Sequence, residues 1–251
     1  MKLSVVIPAH NEEGVIAATL RGLYATLQKA EISHELVVID DNSSDTTADI
    51  LRELAAEIPS LRTVTNSPPN GYGLAVRRGI DVALGEYVAV NMADASDDPD
   101  DLVAFFRKAE EGYDAVFGNR FARGGKVIDY PWPKLILNRI TNGLICLLFA
   151  SRYTDTTNAF KLYRRDTLEG LKPFLSHHFN LTVELPLKTI VRGYSYTVLP
   201  NRWYNRKHGE SKLRIKEMGS RYWFVIFYCL IEKWLSVGDY QKRPCVEGEG
   251  D

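Results

Sequence analysis

The chain is poor in cysteine and has no long apolar run, and each absence narrows the reading. Only three cysteines occur in 251 residues, Cys146, Cys229 and Cys245, with no C-x-x-C spacing and no even set that would make a disulfide framework. Two of them sit in apolar runs, where buried free thiols suit a reducing compartment. No apolar stretch reaches the roughly 20 residues that span a bilayer; the longest, near 144–150 and 222–231, fall short. Met1 and Lys2 enter a strand directly, leaving no room for a signal peptide. The chain therefore reads as cytoplasmic, with at most a peripheral contact to the cytoplasmic face of a membrane. A basic surplus is missing too: 31 Lys and Arg face 32 Asp and Glu, a formal net charge of -1, which argues against a nucleic-acid partner. Neither G-x-G-x-x-G nor a Walker lysine follows the first strand, so a Rossmann dehydrogenase and a P-loop enzyme are not indicated.

What is present alternates. Apolar runs at 3–7, 35–39, 61–65, 87–90 and 115–118 read as strands, and the first two are continuous enough to be buried on both faces. Between them, helices are predicted from an Asn11 cap to about 30, from a Ser43-Ser44-Asp45 cap to near Pro59, and from the turn Asn70-Gly71-Tyr72-Gly73 to 83. Pro99 opens another, to 110. Such alternation predicts a mostly parallel sheet with helices on both faces. After residue 120 it stops. Helices at 134–150, 166–171, 182–191 and 214–237 and one late strand at 194–199 follow, then a polar tail from 242 that reads as flexible.

Acidic residues collect where strands end. Asp40-Asp41 closes the second strand; Asp94, Asp97 and Asp98 follow the fourth within five positions. Loops at this edge of a parallel sheet converge on one crevice. From the residues alone two readings of the Asp94 cluster stand: a hard divalent cation bound to phosphate oxygens, or an acidic turn capping the next helix. Asp40 can accept hydrogen bonds from a base or a ribose hydroxyl, while Asp45 reads better as a cap. Pro8 turns the chain sharply after the first strand and exposes His10 and Glu12 at the same edge. The basic run from Arg202 to His208, with Lys212 and Arg214, suits phosphate, and His177-His178 read as ordinary surface.

In chain order, Val5-Val6-Ile7-Pro8-Ala9-His10-Asn11-Glu12, Val38-Ile39-Asp40-Asp41-Asn42-Ser43-Ser44-Asp45, Asn70-Gly71-Tyr72-Gly73 and Ala93-Asp94-Ala95-Ser96-Asp97-Asp98-Pro99 resemble one family. It is the inverting GT-A glycosyltransferases of family two, and within them the polyprenol-phosphate (dolichol-phosphate) mannosyltransferases. Asp155-Thr156-Thr157-Asn158-Ala159-Phe160-Lys161-Leu162-Tyr163-Arg164-Arg165 and His208-Gly209-Glu210-Ser211-Lys212-Leu213 extend the resemblance over about residues 3–235.

The resemblance implies a GT-A catalytic domain over 1–213, with a nucleotide-binding half to about 120 and an acceptor half beyond it. An amphipathic, membrane-interfacial helix at 214–240 and the tail at 241–251 complete the chain. It implies transfer of a hexose of mannose or glucose type from a GDP- or UDP-sugar to a polyprenyl phosphate of dolichyl or undecaprenyl type, with Mg or Mn. Carried over by position, Pro8, His10, Glu12, Asp40, Asn42, Asp94, Ala95 and Arg120 line the nucleotide-sugar site. Asp94 with Asp97, ahead of Asp98, holds the metal, because Ser96 stands where the family's second Asp falls. Arg139, Arg206 and Lys212 face the acceptor phosphate, and Asp94, Asp97 and Arg206 are the catalytic set. A phosphate monoester already carries a nucleophilic oxygen at neutral pH, its second pKa being about 6, so no dedicated base is needed. Two alternatives remain open. A hydroxyl acceptor would require a base, with Asp155 or Glu184 as candidates, and Ser96 leaves room for a binding module without turnover.

Overall fold

The seven residues of β1, Leu3–Ala9, are all buried, as are the seven of β2, His34–Asp40. The computed structural model describes residues 1–205 and 215–242, and these two strands pair in parallel within its main sheet. β3 (Leu61–Thr65) and β4 (Tyr87–Val90) flank them, all parallel, with Val6 opposite both Val37 and Val90. β5 (Ala115–Asn119), β7 (Lys161–Arg164) and β8 (Tyr196–Pro200) complete a seven-stranded sheet of order β3-β2-β1-β4-β7-β5-β8. β6 (Lys126–Ile128) and β9 (Arg202–Tyr204) pair apart from it.

The sheet is mostly parallel, and β7 is its exception, running antiparallel to both β4 and β5. No strand is predicted there from sequence, since Lys-Leu-Tyr-Arg is too short to display a period.

Both faces are covered. Leu3, Val5 and Ile7 pack with Leu20 and Leu23 of α1 (Ile16–Lys29), Leu51 of α2 (Thr47–Glu57) and Phe105 of α4 (Pro99–Ala109). Val6, Val88 and Val90 face the other way, against Val76 and Ile80 of α3 (Tyr72–Val82) and Leu181 and Leu185 of α7 (Leu181–Val191). Each fully buried side chain of this kind contributes roughly 1.5–3 kcal/mol. The continuous apolar runs of β1 and β2 are thus the sequence trace of a two-sided core.

The loop after β1 departs from the predicted cap. α1 starts at Ile16, while Asn11 sits at φ 53 and its Oδ1 accepts from Ser44 N at 2.7 Å. Ser43 Oγ in turn accepts from Asn11 N, and Asp45 accepts from both Glu13 N and Thr47 N. The loops after β1 and β2 are laced together by these bonds, which fixes this edge of the sheet. The predicted Asp45 cap shifts by one residue: Thr46 stands at the N-cap of α2 without a side-chain cap bond, and Asp45, just before it, accepts from Thr47 N at 3.0 Å.

α5 (Trp132–Phe149), the short α6 (Arg165–Gly170) and α8 (Ile215–Leu235) follow the alternating half. Ile145 and Phe149 of α5, Val183 and Leu187 of α7, and Val225, Ile226, Cys229 and Leu230 of α8 share a second core. Just past α7, Arg192 grips Glu232 of α8 through bonds of 2.7 and 2.9 Å, both side chains almost fully buried. No helix among the described residues is long and apolar enough to cross a membrane. The predicted tail lies mostly outside the described residues.

Candidate functional site

The strand-end loops open onto a cleft of about 1010 Å³ bounded also by α5, α8 and the start of α7. Pro8, His10, Glu12, Asp41, Asn70, Gly71, Tyr72, Asp94, Ser96 and Asp97 line one part of it. Arg120, Lys134, Asn138, Arg221 and an apolar set that includes Leu137, Ile140, Leu144, Trp223 and Ile226 line the rest.

Of the paired acids at the end of β2, Asp41 and not Asp40 reaches the cleft. Asp40 is turned to its own loop, its Oδ1 accepting from Ser43 N at 3.0 Å. Asp41 accepts from Asn66 Nδ2 at 2.8 Å and from Gly71 N at 2.7 Å, so its carboxylate is fixed at both oxygens. Its carbonyl lies 2.8 Å from His10 Nδ1, and since a carbonyl only accepts, that nitrogen carries the proton. Asn42, at φ 58, donates to Asn70 Oδ1 at 2.7 Å and braces the two loops.

After β4, Asp94 and Asp97 are buried side by side at the cleft wall, 8% and 7% exposed. Asp94 Oδ1 accepts from Ser96 N at 3.1 Å, and among the described residues the Asp97 carboxylate has one long contact, 3.4 Å from Met92 N to its Oδ2. Burial, then the charge of Asp94, pushes the Asp97 carboxyl up to about 7. Among the described residues Ser96 Oγ is buried without a partner. The Asp97 carboxylate, held by one long contact, and the Ser96 hydroxyl beside Asp94 are hard oxygen donors, which suit a cation that takes its other ligands from phosphate or water. Among the described residues no group of three or more His, Cys, Asp or Glu side chains gathers in this way, so the pair is incomplete by itself. Ala95, at φ 55, is exposed on the loop between the two acids.

Asp98, the third acid of the cluster, does something else. It caps α4, accepting from Asp100 N, and pairs with Arg202 Nη1 at 3.0 Å. Arg202 also binds Asp101, and Tyr204 N donates to Ser96 O, so β9 is stitched to the acidic loop. The capping reading of this cluster holds for Asp98 and not for its neighbours.

Arg120, just past β5, lines the cleft with its charge already partnered. Its N and Nε donate to Asp155 Oδ2 at 3.0 and 2.9 Å, and its Nη2 donates to Oδ1 at 2.8 Å. The rings of Phe121, Tyr130 and Trp203 surround the guanidinium with centroids 5.6 to 6.0 Å away. Arg139 does not line the cleft; it donates to Thr154 O at 3.0 Å and lies over the Phe121 ring. Five residues earlier on α5, Lys134 does. Arg206 and Lys212 lie outside the described residues.

Neither candidate base for a hydroxyl acceptor is placed to act. Asp155 is fully buried under Arg120. Glu184 is equally buried, accepting from Leu175 N, Ser176 N and Lys188 Nζ, and neither acid lines the cleft. His178, predicted as surface, does line it, and Phe179 beside it stacks on Tyr72 at 4.3 Å. The pair Gly71 and Gly73 was the available signal for that segment, because glycine marks close backbone approach.

Residues 4–172 match the glycosyl transferase family 2 model, and the chain belongs to that family. It is 30% identical over 224 residues to a dolichol-phosphate mannosyltransferase of Pyrococcus furiosus, covering 86% of this chain and 60% of that one. The chain thus spans about three-fifths of the length of that relative. Over 215 residues it is 29% identical to a polyprenol monophosphomannose synthase of Mycolicibacterium smegmatis, covering 83% of this chain and 80% of the relative. Glucosyl-3-phosphoglycerate synthase from Mycobacterium tuberculosis, solved with uridine diphosphate, shares the fold with a TM-score of 0.67 at 19% identity, over 92% of this chain and 79% of that one. The same enzyme with Mn2+, uridine diphosphate and phosphoglyceric acid gives 0.66 at 20%, over 92% and 78%. These neighbours have the GT-A architecture implied by the sequence resemblance.

Proposed function

We propose that this family 2 chain transfers a hexosyl group, with inversion, from a GDP- or UDP-sugar to a polyprenyl phosphate. The observation that carries this reading is the make-up of the cleft. Buried carboxylates stand at the strand ends, cationic side chains come next, and an apolar wall between α5 and α8 follows.

Asp94 and Asp97, with Ser96 Oγ beside them, would hold Mg or Mn; when bound, the cation supplies positive charge to a diphosphate leaving group. Asp41, with Asn66 and Gly71 N fixing it, orients the nucleoside beside Pro8, His10 and Glu12. Lys134 and Arg221 supply positive charge that draws an acceptor phosphate towards the donor, beside a wall where Arg120 is already neutralised by Asp155. Phosphate oxygen then attacks the sugar's anomeric carbon as the bond to diphosphate breaks, and no proton has to be removed first. The tied positions of Asp155 and Glu184 favour such an acceptor over a hydroxyl. Leu137, Ile140 and Trp223 both line the cleft and stand exposed at its mouth, where the first isoprene units would lie.

A membrane contact fits the same helices. Trp132, Ile136, Ile140 and Leu147 on α5, and Phe224, Phe227, Ile231 and Trp234 on α8, are all more than half exposed. Aromatic and aliphatic stripes of this kind bury in the headgroup boundary of a bilayer. Radiolabelled GDP-mannose and UDP-glucose, each incubated with the protein, Mn2+ and a polyprenyl phosphate, test the reading. Label should enter the organic phase; label confined to water-soluble products would refute it.

A further inference from the structure

One wall of the cleft is built by a segment that belongs to no strand or helix. Between α6 and α7, Leu175 N and Ser176 N donate to the two oxygens of Glu184 at 2.8 and 2.7 Å. Lys188 Nζ ties Glu184 to the carbonyl of Pro173. Held from behind in this way, the segment lies on the turn before α3, and Leu74 N donates to His177 O at 3.2 Å. The approach is closer than side chains permit. A Cβ on Gly71 would stand 2.4 Å from His177 O, and one on Gly73 would stand 2.7 Å from Ser176 O. The Nδ1 and Cε1 atoms of His178 lie 3.1 and 3.3 Å from the Gly71 position. Gly71 N, on the same residue, donates to Asp41. His178 and Asp41 therefore both approach Gly71, one at its Cβ position and the other at its N–H, and both line the cleft.

We propose that His178 is a donor-selectivity residue that reads the base of the nucleotide-sugar together with Asp41. The inference rests on the nucleotide-sugar reading above. Asp41 has both oxygens anchored, yet each keeps a lone pair for an N–H from a ligand. The His178 imidazole, reaching the same glycine from its Cβ side, can offer an N–H of the opposite polarity. A carboxylate acceptor next to a donor complements a base edge in which N–H adjoins C=O, as in guanine and uracil. Adenine and cytosine carry an acceptor ring nitrogen beside an amino group, the reverse order. A site built to hydrogen-bond one pattern rejects the other because its own groups are left unpaired.

Calorimetric titration with GDP, UDP, ADP and CDP, each with Mn2+, tests this on the wild type, His178→Ala and His178→Gln. Pyrophosphate with Mn2+ serves as the control ligand. The wild type should bind GDP or UDP about tenfold or more tightly than ADP and CDP. His178→Ala should lose about tenfold on the preferred nucleotide and flatten the ratio, with pyrophosphate binding unchanged. His178→Gln, which keeps an N–H donor, should recover part of the preference. An unchanged ratio in His178→Ala, a parallel fall in pyrophosphate binding, or a wild type that does not discriminate between the two classes would overturn the proposal. A wild type that binds pyrophosphate but no nucleotide would instead remove the donor reading, and this inference with it.

Discussion

Asp155 holds Arg120 by three hydrogen bonds of 2.8 to 3.0 Å, with the two side chains 0% and 7% exposed. The pair joins the end of β5, at the cleft wall, to the loop before the antiparallel strand β7. Removing one partner leaves a buried charge uncompensated. Asp155→Ala should therefore cost about 3–5 kcal/mol in urea unfolding. Arg120→Lys should also destabilise, since an ammonium cannot reproduce the fork of bonds to Asp155.

Asp97 gives a pH dependence with a definite sign. Its folded pKa, near 7, lies above the ordinary carboxylate value of 3.8, so between those values the folded protein binds the extra proton. Stability associated with this group is present at low pH and is lost as pH rises towards and through 7. Asp97→Asn should raise the metal-free melting temperature at pH 8, by an amount worth roughly 2–4 kcal/mol at most. The gain should shrink towards zero near pH 4. The same variant should abolish stabilisation by Mn2+. Equal effects at both pH values would show that the carboxylate is not held near neutrality.

Asp98 should separate from Asp97 in the same assay. As the cap of α4 and a partner of Arg202, it acts on the loop rather than on a ligand. Asp98→Ala should cost about 0.5–2 kcal/mol of stability while Mn2+ still raises the melting temperature. Loss of the Mn2+ response would return Asp98 to the ligand set.

The exposed stripe on α8 can be tested apart from the chemistry. Phe224→Ser with Phe227→Ser alters side chains that are 61% and 56% exposed, so the melting temperature should shift by no more than a few degrees. Co-sedimentation with anionic phospholipid vesicles should fall severalfold. Unchanged sedimentation would argue that another surface makes the contact.

How far the sequence led depends on which feature carried the signal. The ends of β2 and β4 were readable because each buried apolar run stops at polar residues, which located the acid clusters. β1 runs two residues past its predicted end, with Pro8 paired to Ile39 inside the strand rather than turning the chain after it, and His10 and Glu12 follow. Which acid of a pair faces the cleft was not readable. Adjacent strand residues point to opposite sides, and β2, buried on both faces, shows no alternation to tell Asp40 from Asp41. Asp97 and Asp98 differ by the start of a helix, a boundary that sequence locates only to within a few residues. Arg139 and Lys134 share a helix that is apolar around much of its circumference, so its cleft face could not be picked out. His178 sits in a segment without period, anchored by the distant pair of Glu184 and Lys188. Nothing local announces such a contact except the glycines opposite it.

Transfer of label into lipid is the most direct measurement of the central claim. With GDP-mannose or UDP-glucose, Mn2+ and a polyprenyl phosphate, the wild type should move the sugar into the organic phase, and Asp94→Asn should reduce that transfer at least a hundredfold while the protein stays folded. Full activity in Asp94→Asn, or a wild type that labels only water-soluble products, would contradict it.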